Sequence, residues 1–217
     1  MKYKAIIWDL DGTLLNTLQD LTDAVNHSLE KYGLPVRTKE EIRSIVGNGI
    51  RHLVENAVPA GTDPATTDTV FGEFCTYYAA HSADTTAPYG GIPAMLAVLS
   101  RAGIKMAIVS NKADFAVQDL AKQYFGEEIT LAVGAREDMP KKPAPDMVEY
   151  ALSCLGVSKS EAAYVGDSEV DVLTARNTGM DCLAVSWGFR SPETLRDAGA
   201  ERIFSTPEEL MDAILKM

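Results

Sequence analysis

The 217-residue chain carries 31 acidic against 20 basic side chains, a formal charge of −11, and 46% hydrophobic residues. That composition excludes global disorder and argues against a duplex nucleic-acid partner, which needs clustered Lys and Arg to displace counterions. No apolar run approaches the ~18 residues of a membrane span, and the apolar run before Asp9 is too short for a secretory leader. Cys75, Cys154 and Cys182 are odd in number, far apart and without zinc-ligand spacing, and His27, His52 and His81 add none. A soluble cytoplasmic protein with no membrane association is expected.

In chain order, Ala5 to Trp8 reads as a strand buried on both faces and ending in Asp9. Further strands are expected at Lys105–Val109, Ile129–Val133, Ala163–Val165, Cys182–Val185 and Arg202–Phe204. Amphipathic helices are expected over Ile92–Ala102, Asp114–Phe125 and Asp146–Leu155, each followed by glycine. Alternation at this spacing predicts an α/β fold, a Rossmann-like doubly wound parallel sheet with helices on both faces.

One connection is too long for a strand-helix-strand unit of ~30 residues. Between the first two strands, Leu18, Leu21, Val25, Leu29 and Tyr32 recur at helical spacing, as do Ile42, Ile45, Ile50, Leu53 and Val54. Val70, Phe74, Tyr77 and Tyr78 suggest another helix. The expected division is an α/β core of residues 1–14 and 83–217 with an inserted helical cap of residues 15–82. Leu14–Thr17 and Thr85–Gly91 would be its two hinge strands.

Three strand ends carry chemistry: Asp9-Leu10-Asp11-Gly12-Thr13, Ser110-Asn111 and Gly166-Asp167-Ser168-Glu169-Val170-Asp171. Open α/β sheets bind ligands beyond the carboxyl ends of their strands. Lys142 sits in a loop before a helix. Plainer readings exist. Asp9 could end a strand, Ser110 could cap the following helix, and Ser168-x-x-Asp171 has the spacing of a capping box. Capping and support of a metal site are compatible for Asp171.

The set resembles the haloacid dehalogenase superfamily. Asp9-x-Asp11-Gly12-Thr13 is similar to its first motif, Ser110-Asn111 to its second, Lys142-Pro143-x-Pro145 to its third and Gly166-Asp167-Ser168-x-x-Asp171 to its fourth. The resemblance implies Asp9 as nucleophile and Asp11 as general acid/base. Gly12, Thr13, Ser110, Asn111 and Lys142 would bind the phosphoryl group. A magnesium ion would be held by Asp9, the Asp11 backbone carbonyl and Asp167, with Ser168 and Asp171 in support. An acid at position 11 implies a phosphatase or phosphomutase rather than a dehalogenase, whose halide leaving group needs no proton.

Charge explains why a cation is needed. Two unit charges ~4 Å apart repel by ~4 kcal/mol at an effective dielectric near 20. Asp9, Asp11, Asp167 and Asp171 against Lys142 alone leave −3 if all are ionised. An all-oxygen donor set selects magnesium over zinc.

For the substrate, Asn16-Thr17-Leu18-x-Asp20-Leu21, Val46-Gly47-Asn48-Gly49-Ile50 and Trp187-Gly188-Phe189-Arg190 resemble bacterial phosphoglycolate phosphatases. The expected substrate is a small phosphate ester, 2-phosphoglycolate first. Asn48 and Arg51 are candidate substrate-binding residues: the amide-rich Gly47-Asn48-Gly49 edge could meet its carboxylate, and Arg51 and His52 could add positive charge, although Gly47–Gly49 could be only a turn and Arg51 a solvated side chain. A sugar phosphomutase, a pyrophosphatase and a phospho-accepting receiver-type signalling module are the alternatives. Oligomeric state is not legible.

Overall fold

A computed structural model describes residues 2–126 and 128–216. Six strands form one parallel sheet: β1 (Ala5–Trp8), β4 (Lys105–Ala113), β5 (Leu131–Ala135), β6 (Ala162–Gly166), β7 (Asp181–Val185) and β8 (Ile203–Phe204), in the order β5-β4-β1-β6-β7-β8. Between β1 and β4 lies a pair of short antiparallel strands, β2 (Leu15–Asn16) and β3 (Ala87–Pro88).

Strand residues alternate between two helical layers, as a pleat with period two requires. Ile6, Trp8, Met106, Ile108 and Val165 pack with α5 (Ile92–Arg101), α6 (Asp114–Phe125) and α10 (Pro207–Lys216). Ala5, Ile7, Ala107, Val109 and Tyr164 face α7 (Asp146–Leu155) and α8 (Glu169–Thr178). The smaller α9 (Pro192–Asp197) packs Leu195 in a separate cluster with Ala184 of β7 and Val172 of α8.

The register decides where the chemistry emerges. Trp8 pairs with Ile108 on one side and with Val165 on the other. Asp9, Ser110 and Asp167 therefore lie near one level, toward the carboxyl ends of three adjacent strands.

Two strand expectations differ from the structure by more than one residue. β5 begins at Leu131 rather than Ile129, because the Ile129 amide donates to Phe125 O and closes the end of α6. Ile129 is nonetheless buried, so its apolar character signals core rather than strand. β4 runs on past Val109 to Ala113, with a register shift between those residues. That irregular extension re-aims Ser110, Asn111 and Lys112, as bulges at strand ends commonly do.

The segment between β2 and β3 holds four helices, α1 (Leu18–Lys31), α2 (Lys39–Ile45), α3 (Ile50–Ala57) and α4 (Pro64–His81). They bury their own apolar cluster, including Leu21, Val25, Leu29, Ile42, Leu53, Phe74 and Tyr78. α2 starts on a capping box between Thr38 and Glu41, and α4 on the Asp63 side chain with Pro64 following. Asp20 of α1 accepts from the Thr85 and Thr86 amides and from the Thr85 hydroxyl, tying the outgoing and returning chains together.

Candidate active site

Asp9 follows β1 and is almost fully buried. Its Oδ1 accepts from Lys142 Nζ at 2.8 Å. The same ammonium donates to Tyr164 Oη and Asp171 Oδ1, each at 2.8 Å, so all three of its protons are used. Burial pushes the Asp9 carboxyl up to about 7, with the Asp171 charge adding and Lys142 opposing. Asp171 and Asp9 hold Lys142 charged against a burial that would strip its proton.

Asp167 follows β6 and is also buried. Its Oδ1 accepts from Thr13 Oγ1 at 3.0 Å and its Oδ2 from the Phe189 amide at 2.6 Å. Burial, then the charges of Asp171 and Asp9, push its carboxyl well above the ordinary range. Gly12 (φ +87°) and Gly188 both press on this carboxylate, and a Cβ at either position would collide with it. Trp187 secures the arrangement by donating from Nε1 to Thr13 O at 3.0 Å.

Asp171 does two jobs at once. Its Oδ2 accepts from the Ser168 amide and hydroxyl, the capping box that starts α8, while its Oδ1 meets Lys142 and Tyr164. Ser110 does not cap α6, whose first turn has Ala113 at its N-cap and no side-chain cap bond. The Ser110 hydroxyl faces the cavity and accepts from the Lys112 amide at 3.3 Å. Asn111 donates from Nδ2 to Lys142 O and, across to the helical segment, to Gly47 O.

A cavity of about 40 Å³ joins these groups. Asp9, Asp11, Ser110, Asn111, Lys142, Asp167 and Ser168 form its floor, and Leu21, Val46, Gly47, Gly49, Ile50 and Leu53 its roof. That volume holds about three or four waters, at ~10–15 Å³ for each. The helical segment thus sits closed on the sheet.

Neither Asn48 nor Arg51, both expected to bind substrate, lines the cavity. Asn48 is exposed and does not line the cavity, where only its neighbours Gly47 and Gly49 do. Arg51 points outward, donating to Glu55 Oε1 and Asp68 Oδ1 at 2.6 Å each and lying over the Phe71 ring. The reason is helical phase. Ile50, Leu53 and Val54 occupy the inward face of α3, which leaves Arg51 and Glu55 on the outward one.

Three contributors have no role at the site in the sequence reading, although Arg190 belongs to the Trp187–Arg190 string noted there. Lys112 is buried, lines the cavity and donates to Asp11 Oδ1 at 3.0 Å and Oδ2 at 3.3 Å. Its ammonium also reaches Tyr78 Oη at 2.5 Å, and Asp11 with Tyr78 keeps it charged despite burial. Tyr164 completes the shell around Lys142. Arg190 pairs with Glu169 and donates to Arg43 O and Val46 O at 2.7 Å each, fastening the loop after β7 to the end of α2. A lysine directly after Ser110-Asn111 was the available signal for the first of these. With Lys112 included, the four carboxylates and two ammonium groups leave −2 rather than −3.

Carboxylate oxygens of Asp9, Asp167 and Asp171 lie within 4.8 Å of one another, an acidic cluster that fits a metal ion. The Asp11 carboxylate is not in that cluster and turns to Lys112 instead.

Residues 6–185 match the family described as Haloacid dehalogenase-like hydrolase. The chain belongs to that family. A phosphoglycolate phosphatase of Chromobacterium violaceum is 34% identical over 96% of this chain and 95% of its own length. An N-acetylmuramic acid 6-phosphate phosphatase of Pseudomonas aeruginosa is 31% identical over 99% of this chain and 96% of its own. A crystal structure from Lactobacillus delbrueckii subsp. bulgaricus, described as a candidate phosphoglycolate phosphatase, superposes with a TM-score of 0.93 at 37% identity and covers 99% of both chains. Within this family the chain is a phosphatase, a phosphoric monoester hydrolase, and the receiver-type alternative falls away. No helix among the described residues is long and apolar enough to cross a membrane.

Proposed function

We propose that the protein hydrolyses a small phosphate monoester, 2-phosphoglycolate first among them, with Asp9 as nucleophile. In this reading residues 1–14 and 83–217 are the catalytic core and residues 15–82 its cap. The observation that carries it is the cavity between the sheet and the helices. Asp9 and Asp11 both line it, and the apolar roof leaves about 40 Å³, which favours a leaving group of few atoms.

Asp9 attacks phosphorus through the oxygen now held by Lys142, and an Asp9–phosphorus bond forms as the ester bond breaks. Asp11 gives its proton to the departing alkoxide, then takes one from the water that cleaves the phospho-Asp9 bond. Lys142 offsets charge on the phosphoryl oxygens, and the Ser110 hydroxyl, the Asn111 side chain and backbone N–H groups at Gly12 and Thr13 orient them. Asp9, the Asp11 backbone carbonyl and Asp167 would hold a magnesium ion, with Ser168 and Asp171 behind them. The donor set fits: all oxygen, with buried carboxyls whose raised proton affinity marks negative charge lacking a counter-ion. Such an ion supplies charge neutralisation at the phosphoryl group.

The test is phosphate release by the purified protein in millimolar Mg2+. At least tenfold higher kcat/KM for 2-phosphoglycolate than for N-acetylmuramic acid 6-phosphate is expected, with turnover lost on chelation. Preference for the sugar ester would replace the substrate, and isomer formation without free phosphate would make the protein a mutase. Undiminished turnover after chelation would overturn the metal's part.

A further inference from the structure

The contact between Lys112, Asp11 and Tyr78 joins three distant parts of the chain. Asp11 belongs to the loop after β1, Lys112 to the irregular end of β4 and Tyr78 to α4 of the helical segment. Lys112 and Tyr78 are 3% and 2% exposed, so neither is a solvated surface group. A buried ammonium costs several kcal/mol unless it is paired and hydrogen-bonded. Here the pairing is specific: one ammonium touches both oxygens of Asp11, which fixes the plane of that carboxylate.

The Tyr78 hydroxyl is the one member of this contact that the helical segment supplies. Its ring stacks on Phe74, with centroids 5.3 Å apart, and also lies against the Lys112 ammonium, 4.7 Å from the ring centroid. Lifting the helices away would take both the hydroxyl and the ring face from Lys112 and leave its contact with Asp11 unsupported from that side.

We propose that Lys112 and Tyr78 are positioning residues that hold the Asp11 carboxylate in line with the leaving oxygen only while the helical segment is closed. The inference rests on the reading of Asp11 as general acid and base. It makes a kinetic demand that a merely structural role does not. A misplaced Asp11 slows formation of phospho-Asp9 only when the leaving group needs a proton. It slows the second step for every substrate, since the attacking water must always lose one.

The experiment uses the full chain in Mg2+, with Tyr78→Phe, which keeps the ring, and Lys112→Met, which keeps the length. Each is assayed on 2-phosphoglycolate and on 2,4-dinitrophenyl phosphate, whose leaving group departs without a proton. On the alkyl ester, kcat should fall about tenfold in Tyr78→Phe and about a hundredfold in Lys112→Met, with KM within about twofold. On the activated ester, both variants should give a pre-steady-state burst of dinitrophenolate larger than that of the unmodified protein, as phospho-Asp9 accumulates. Proportionate losses on both esters with no burst, or no loss in either variant, would overturn the inference alone. An unmodified protein inert toward both esters would overturn the proposed function and this inference with it. Should Lys112→Met fail to fold, the hydroxyl deletion at Tyr78 decides the matter.

Discussion

The cavity is enclosed by two kinds of surface. Residues from the sheet are charged or hydrogen-bonding, with Asp9, Asp11, Ser110, Lys112, Lys142 and Asp167 among them, whereas the helical segment contributes Leu21, Val46, Gly47, Gly49, Ile50 and Leu53. The floor holds three carboxylates, with Asp171 behind them, against two ammonium groups, and all but the partly exposed Asp11 are buried, an arrangement that costs stability. The roof makes no such sacrifice. Its apolar side chains limit the space, and the water, above the charges beneath it. Reaction type should therefore be set by the floor and substrate size by the roof.

The largest effect expected from this contrast is at the floor. Asp9→Asn should lower phosphate release by at least ~10⁴-fold. Its melting temperature should stay level or rise, because the amide removes one carboxylate from a crowded cluster. Activity within tenfold of the unmodified protein would break the assignment.

Next in size is the divalent ion. In metal-free protein the Asp9 carboxyl keeps its proton up to about pH 7, while in the unfolded chain it is released near its ordinary 3.8. Between those values the native state binds the extra proton, so this group's contribution to stability declines as pH rises. A cation competes with that proton. Mg2+ at about a hundred times its dissociation constant should raise the melting temperature by about 5–10 °C above pH 7 and by much less at pH 5. A rise of equal size at both pH values would count against Asp9 as a ligand.

The smallest effect tests the roof. Arg51 is half-exposed and paired outward with Glu55 and Asp68, so Arg51→Ala should change KM for phosphoglycolate less than twofold and leave the melting temperature nearly unchanged. A KM raised tenfold for the acidic ester alone would return Arg51 to the substrate.

Much of the floor was legible from sequence because its residues sit at strand ends, where a buried apolar run stops at a polar group. Asp9 after Ala5–Trp8 and Asp167 after Ala162–Gly166 follow that rule, and the parallel pairing of β1 with β4 and β6 puts them together. The ambiguity at Asp171 was genuine, since one oxygen caps α8 and the other meets Lys142. Lys112 was not legible, because a lysine in isolation reads as a solvated charge. Only the extension of β4 to Ala113 buries it. Arg51 erred the other way: proximity in sequence to Gly47–Gly49 suggested proximity to substrate, and the phase of α3 turned it outward.

Local pattern alone determined the order of strands and helices, the oxygen-rich donor set and the excess negative charge, since each depends on residue type and short spacing. Which cations answer that charge, and which side chains reach the cavity from the helical segment, depended on contacts between residues as far apart as Asp11, Tyr78 and Lys112. Burial is a property of the folded whole: the same lysine that water would solvate becomes, once enclosed, a charge that must find its partner.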